Sequence, residues 1–251
     1  MDFELLLVIL TLLTGIVWVW DRWLRRKDEE RDGEDPWYID LPRSLFPIIL
    51  IVLVIRSFVA EPFRIPSGSM LPTLQAGDFI LVNKFSYGVR LPVLRTRFLG
   101  GATPERGDVA VFRYPVDPTQ DYIKRIVGLP GDEIRYENRQ LFINGVPAEQ
   151  ELVGRYDGLD ADGTAELFRE RLEDAAYEIL IHPNSPGGYF SYNVPEGQYF
   201  VLGDNRDRSA DSRMWGAVGD ELLAGRAFMI WMSWDSRRNR VAWDRIGDRI
   251  E

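Results

Sequence analysis

Asp121-Tyr122-Ile123-Lys124-Arg125-Ile126-Val127-Gly128-Leu129-Pro130-Gly131-Asp132 reads as a strand that ends in a turn. Side chains alternate across a strand, so Tyr122, Lys124 and Ile126 share one face while Ile123, Arg125 and Val127 share the other. Short runs of this kind recur at 79–83, 109–114, 133–136, 140–143, 177–181, 198–202 and 227–234, with Gly, Pro, Asn or Asp between them. Asn144-Gly145 after Ile143 is a tight-turn signal. Regular strands without long intervening helices predict a mainly β, antiparallel, barrel-like or sandwich domain. Residues 151–176 are acidic and contain Gly. They suit a loop with a short helix as well as a hairpin.

Upstream of the strands the texture is different. Residues 3–20 form an almost continuous apolar run, close to the roughly 20 residues a transmembrane helix needs. Trp18, Trp20 and Trp23 at its end resemble an interfacial aromatic belt. A cleaved signal peptide is the competing reading. Asp2 and Glu4 in place of a basic start, and the lack of a small-residue cleavage site, favour an anchor. Residues 21–43 are densely charged, with Arg22, Arg25, Arg26, Lys27, Arg31 and Arg43. The positive-inside rule places this loop in the cytoplasm. A second apolar run, within 44–61, carries Pro47 and Arg56. It reads as a second span or, being short, as a buried core helix. If it spans, residues 62–251 lie on the outer face, with 146–190 as a short accessory insertion.

The 251 residues carry a formal net charge of −9, which argues against a nucleic-acid partner. With no cysteine, disulfides, thiolate metal sites and cysteine nucleophiles are excluded. The one histidine, His182, limits any Ser-His-Asp scheme to itself and rules out a multi-histidine metal site. A nucleophile here calls for a different base.

Three segments carry candidate chemistry. In Pro66-Ser67-Gly68-Ser69-Met70-Leu71-Pro72, prolines stiffen a loop that a glycine lets turn closely, presenting the Ser69 hydroxyl; an ordinary polar turn is the plain alternative. Lys124, between Tyr122 and Ile126 on one strand face, becomes a competent general base if it is desolvated. Otherwise it is an edge-strand lysine with a snorkelling head. The third segment runs from Gly203-Asp204-Asn205-Arg206-Asp207 through Ser209, Asp211 and Arg213. It fails as a calcium loop, because Ser212 and Val218 stand where glycine and a bidentate acid are required. As a solvated turn or as an orienting loop it remains open. Together the segments supply nucleophile, base and orienter. Pro72 stands three residues after Ser69, so the Ser-x-x-Lys pairing of penicillin-binding proteins does not apply.

Ser67-Gly68-Ser69-Met70, Gly107-Asp108-Val109-Ala110-Val111-Phe112, Tyr122-Ile123-Lys124-Arg125 with Gly128-Leu129-Pro130-Gly131-Asp132, and Gly203-Asp204-Asn205-Arg206-Asp207 resemble the ordered boxes of bacterial type I signal peptidases, most of all the two-span proteobacterial type. The resemblance implies a membrane-bound serine endopeptidase that removes signal peptides from secretory preproteins. It would cut after small-x-small motifs at the outer face of the inner membrane, near the export machinery and without metal or cofactor. Ser69 then matches the nucleophile and Lys124 its base. Ser67 with the Ser69 N–H matches the oxyanion hole, and Ser209, Asp211 and Arg213 match groups that orient the lysine or support its loop. Phe63, Ile65, Met70, Leu74, Tyr122 and Ile123 match the walls of shallow pockets for small side chains.

Two features bear on the alternatives. The accessory region is shorter than that of some relatives, which predicts a reduced subdomain with the chemistry intact; His182, within it, is expected to be structural or exposed. Exposed aromatics such as Trp231 and Trp234 are expected either to meet the bilayer or to belong to the core of the last strand. The competing functions are a self-cleaving repressor-type protease, opposed by the two apolar runs, and an inert membrane-anchored β domain, opposed by the intact serine and lysine positions.

Overall fold

The structure is a computed structural model that describes residues 3–25, 36–54, 60–90, 97–158, 163–186 and 188–251. By internal contacts the chain divides into two compact units, Met1–Glu61 with Gly88–Gly101, and Pro62–Tyr87 with Ala102–Glu251.

The first unit contains helices α1 (Phe3–Trp20) and α2 (Trp37–Val54). Each is apolar and long enough to cross a membrane. A π-helical turn, Asp21–Arg25, extends α1, and α2 begins at Trp37, earlier than the expected residue 44. Much of the charged stretch read as a loop is therefore helical, while residues 26–35 and Arg56 of the second apolar run lie outside the described residues. The helices pack through Trp18 against Phe46, with ring centroids 5.3 Å apart, and through Arg43 to Asp21 at 3.3 Å. In α2, Ile48, Ile51 and Val52 stay exposed, whereas a buried core helix would hide such residues.

The strands in chain order begin with β1 (Ala60–Arg64), β2 (Asp78–Asn83), β3 (Val89–Arg90), β4 (Arg97–Leu99), β5 (Val109–Arg113) and β6 (Asp121–Gly128). Next come β7 (Glu133–Glu137), β8 (Gln140–Ile143), β9 (Val146–Pro147), β10 (Glu149–Arg155), β11 (Glu166–Leu172) and β12 (Ala175–Ile181). The last are β13 (Tyr189–Asn193), β14 (Gln198–Leu202), β15 (Val218–Gly219), β16 (Leu223–Asp235) and β17 (Arg240–Val241), with a one-turn helix α3 (Ser212–Trp215) before β15.

In the second unit the largest sheet runs β1-β2-β16-β5-β6-β14-β15, with β17 paired to β16. It is an antiparallel, curled half-barrel. The register shifts along β16, at 227/229, 230/232 and 223/225, are the bulges that bend a long strand so that it can serve two neighbours. Smaller sheets β13-β7-β8-β9 and β10-β11-β12 complete the unit. Asn144 and Gly145, at φ 52° and 80°, form the turn that pairs Ile143 with Val146, because hairpin turns of this hand need positive φ. Within residues 151–176, undecided in the sequence, β10 and β11 pair antiparallel, and β11 pairs in turn with β12.

The core has an apolar cluster on each side of the base strand. Ile126 packs with Ala110, Phe112 and Val201, and Val127 with Ile134, Ile179 and Phe200. Both faces of β6 are therefore covered, and any charge on it must be partnered or neutral.

Candidate active site

Ser69 sits on the loop that leaves β1. The loop is pinned at its start, where Ile65 N–H donates to Asp78 O at 2.8 Å and Gly77 N–H returns to Ile65 O at 3.0 Å. Met70 and Leu74, both fully buried, anchor its far side in a core cluster with Ile65, Val109 and Ile230. Between these fixed points Ser69 is half-buried, open to a reactant yet held by its neighbours.

Lys124 reaches it from β6. Its Nζ donates to Ser69 Oγ at 2.7 Å and to the main-chain oxygen of Ile123 at 2.8 Å. Only 4% of the residue is exposed, and the amine lies 5.6 Å from the centre of the Tyr122 ring. Burial pulls the amine down from its ordinary 10.5 to about 8, against the attraction of Asp211 and Asp204 for its charged form. The amine is therefore not a snorkelling head held out in solvent. When the amine is neutral the contact reverses, and the Ser69 hydroxyl becomes the donor to Nζ.

The polar loop 203–213 locks these two pieces together. Asn205 N–H donates to Ser69 O at 3.1 Å and Asn205 Nδ2 to Gly68 O at 3.0 Å. Thr73 Oγ1 donates to Asp204 Oδ2 at 2.5 Å, and Arg125 forks onto both Asp204 oxygens at 2.8 Å. Asp211 accepts from Gly203 N–H at 3.1 Å and pairs with Arg213 at 2.8 Å. Ser67 Oγ lies 3.4 Å from Ser69 Oγ at the exposed mouth. Ser209 Oγ is buried and makes no hydrogen bond, to Lys124 or to any other group among the described residues.

The serine and lysine open onto a cleft of ≈ 620 Å³. Of the expected pocket residues, Tyr122 and Ile123 line it. Ile65, Met70 and Leu74 are buried in the core cluster instead, with Phe63 packed part-buried against it. Leu71, Tyr156, Ala165, Leu180, His182 and Asn205 also line it. These residues were missed because they are scattered over more than a hundred positions of sequence. Arg125 was missed as well, although an arginine between Ile123 and Val127 on an apolar face requires a buried acid. His182 is structural: it is 4% exposed, its N–H donates to Asp207 at 2.7 Å, and its ring meets Asn205 at 3.1 Å. Trp231 and Trp234 remain partly exposed, so neither is a core residue.

Comparison with known proteins places this geometry. The family model described as "Signal peptidase, peptidase S26" matches residues 38–234. A signal peptidase I of Pseudomonas fluorescens is 49% identical over 220 residues, covering 82% of this chain and 76% of that protein. A signal peptidase I of Buchnera aphidicola is 35% identical over 307 residues, with 96% of each chain covered. A crystal structure of a signal peptidase I from Enterococcus faecalis aligns at 30% identity and a TM-score of 0.31, over 49% of this chain and 96% of that one. The serine loop, the lysine strand and the polar loop all fall within the matched span, and the chain accordingly belongs to the signal peptidase family, peptidase S26, and is a serine peptidase.

Proposed function

We propose that the protein is a membrane-bound Ser/Lys endopeptidase that removes signal peptides from exported preproteins, cutting after small-x-small motifs. The observation that carries the mechanism is the 2.7 Å contact between Ser69 Oγ and a Lys124 amine buried enough to titrate near 8. Neutral Lys124 takes the Ser69 proton as Oγ attacks the scissile carbonyl. The Ser69 N–H and the Ser67 hydroxyl face the developing oxyanion. The ammonium of Lys124 then gives its proton to the departing amine, leaving an acyl-serine. Water activated by the same amine hydrolyses that ester. Asp211 and Arg213 brace the loop that carries Ser209, whose hydroxyl is the group assigned to orient the amine once substrate is bound.

The sheet offers the substrate a place. β14 pairs only with Arg125, Ile126 and Gly128 of β6, whereas β5 pairs with Asp121–Arg125. Asp121–Lys124 is therefore flanked by β5 on one side and, among the described residues, by no strand on the other. An extended preprotein segment adds there through main-chain hydrogen bonds, and its alternate side chains meet Tyr122 and Ile123.

The two apolar helices and the signal peptidase relatives support an inner-membrane location. The basic 21–43 stretch supports a cytoplasmic connection, with residues 62–251 on the periplasmic side near the export machinery. The test is cleavage of a preprotein by the detergent-solubilised chain alongside Ser69→Ala and Lys124→Ala. Each substitution should reduce kcat by at least about a thousandfold; unchanged cleavage in either would sink the dyad.

A further inference from the structure

We infer that the segment Gly247–Glu251 is a positioning element of the dyad, acting through the Arg125 guanidinium. Arg125 is fully buried next to Lys124, and a guanidinium has five N–H donors. All five are accounted for. Nε and one Nη2 proton go to Asp204 at 2.8 Å each, and the other Nη2 proton points to Thr73 Oγ1 at 3.4 Å. Nη1 donates to Gly107 O and to the main-chain oxygen of Glu251, both at 2.6 Å. The acceptor set therefore draws on the serine loop, the polar loop, the turn before β5 and the 247–251 segment. The Arg125 guanidinium also stacks 3.9 Å from the Tyr177 ring centre, which fixes its plane.

The segment is tied down along its length. Gly247 N–H donates to Ile230 O at 2.8 Å, Ile230 N–H to Asp248 O at 2.9 Å, and Ile250 N–H to Phe228 O at 3.1 Å. Ile250 is buried in the same cluster as Ile65, Met70 and Leu74, which anchor the Ser69 loop. The segment thus meets the nucleophile's anchor through Ile250 and the base's neighbour through the Glu251 oxygen. Without that oxygen, one buried guanidinium N–H has no acceptor, a loss that a desolvated donor does not tolerate. The guanidinium then tilts to find another, and Asp204 and Lys124 move with it.

This inference rests on the peptidase reading, and the experiment separates the two. The full chain in detergent is compared with a chain ending at Ile250, with Glu251→Ala, and with Arg249→Ala, whose side chain is exposed. Preprotein cleavage is measured at a temperature where circular dichroism shows every variant folded. Ending at Ile250 should lower kcat at least tenfold with KM within twofold. Glu251→Ala, which restores the main-chain oxygen without the carboxylate, should rescue it, and Arg249→Ala should behave as the unchanged chain. Equal kcat for the shortened and full chains at full folding, or an equal loss in Arg249→Ala, overturns the positioning role alone. An unaltered chain that cleaves no preprotein overturns the peptidase reading and this inference with it.

Discussion

Arg206 forks onto both carboxylate oxygens of Glu170, and neither side chain is exposed. Glu170 belongs to β11 of the accessory hairpin and Arg206 to the polar loop beside Ser69. The same carboxylate accepts from Tyr177 at 2.7 Å and from Gln150 at 2.8 Å, which satisfies a charge taken out of water. Burial pushes the Glu170 carboxyl up, but Arg206 and these donors more than offset it and hold it below the usual carboxylate range. The accessory segment is thus a support of the catalytic loop. Glu170→Ala strands a buried guanidinium and should cost about 3–5 kcal/mol of stability. Chemical denaturation measures it; a loss below about 1 kcal/mol, within the range of an exposed pair, contradicts the coupling.

Cleavage should have an acid limb set by Lys124. Only the neutral amine accepts the Ser69 proton, so activity falls as pH drops through about 8 and gains nothing further once the amine is fully neutral. Asp211 favours the charged form. Asp211→Asn removes that attraction and should move the limb to lower pH. A kcat/KM profile of the solubilised chain reads both. A limb that stays in place or moves upward in the folded variant argues against Lys124 as the titrating base.

Much of this was legible because it is local. The strands at 79–83, 109–114 and 198–202 show their β-branched or apolar texture and their turns directly, and Asn144-Gly145 announces its hairpin. The proposal of a lysine base began from what the composition lacks. The pairing of β10 with β11 was not legible, because Glu-Leu-Phe-Arg-Glu-Arg-Leu at 166–172 mixes charge into both faces. Glu170 is buried only because Arg206 arrives from 36 positions away. The lining of the cleft was hidden for the same reason, and three expected pocket residues are packed into a core cluster instead.

Ser67 stands at the mouth, 3.4 Å from Ser69 Oγ, exposed and without a core contact. Its removal should leave the fold alone. If its hydroxyl meets the oxyanion, Ser67→Ala lowers kcat by about 10²–10³ while KM changes little, the signature of a donor used in the transition state. Steady-state kinetics on a peptide substrate decide it. A KM effect without a kcat effect would assign Ser67 to ground-state binding instead.

Gly203 lies where the polar loop passes close to the main chain of Ser69. A Cβ there would sit 2.2 Å from Ser209 Oγ and 2.5 Å from Ser69 O, distances at which something must move. The Ser69 oxygen is also the acceptor of Asn205 N–H, and Gly203 N–H is held by Asp211. Backbone relief therefore runs through the nucleophile itself or through the loop behind Lys124. Overpacking of this kind costs about 1–3 kcal/mol, which a folded domain survives, yet a shift of about 1 Å at a reacting pair costs on the order of a hundredfold in rate. Gly203→Ala should accordingly reduce kcat far more than it lowers the unfolding midpoint. Parallel thermal unfolding and cleavage assays give the comparison. An active Gly203→Ala chain would mean that the loop yields elsewhere and that the Ser69–Lys124 geometry does not depend on this contact.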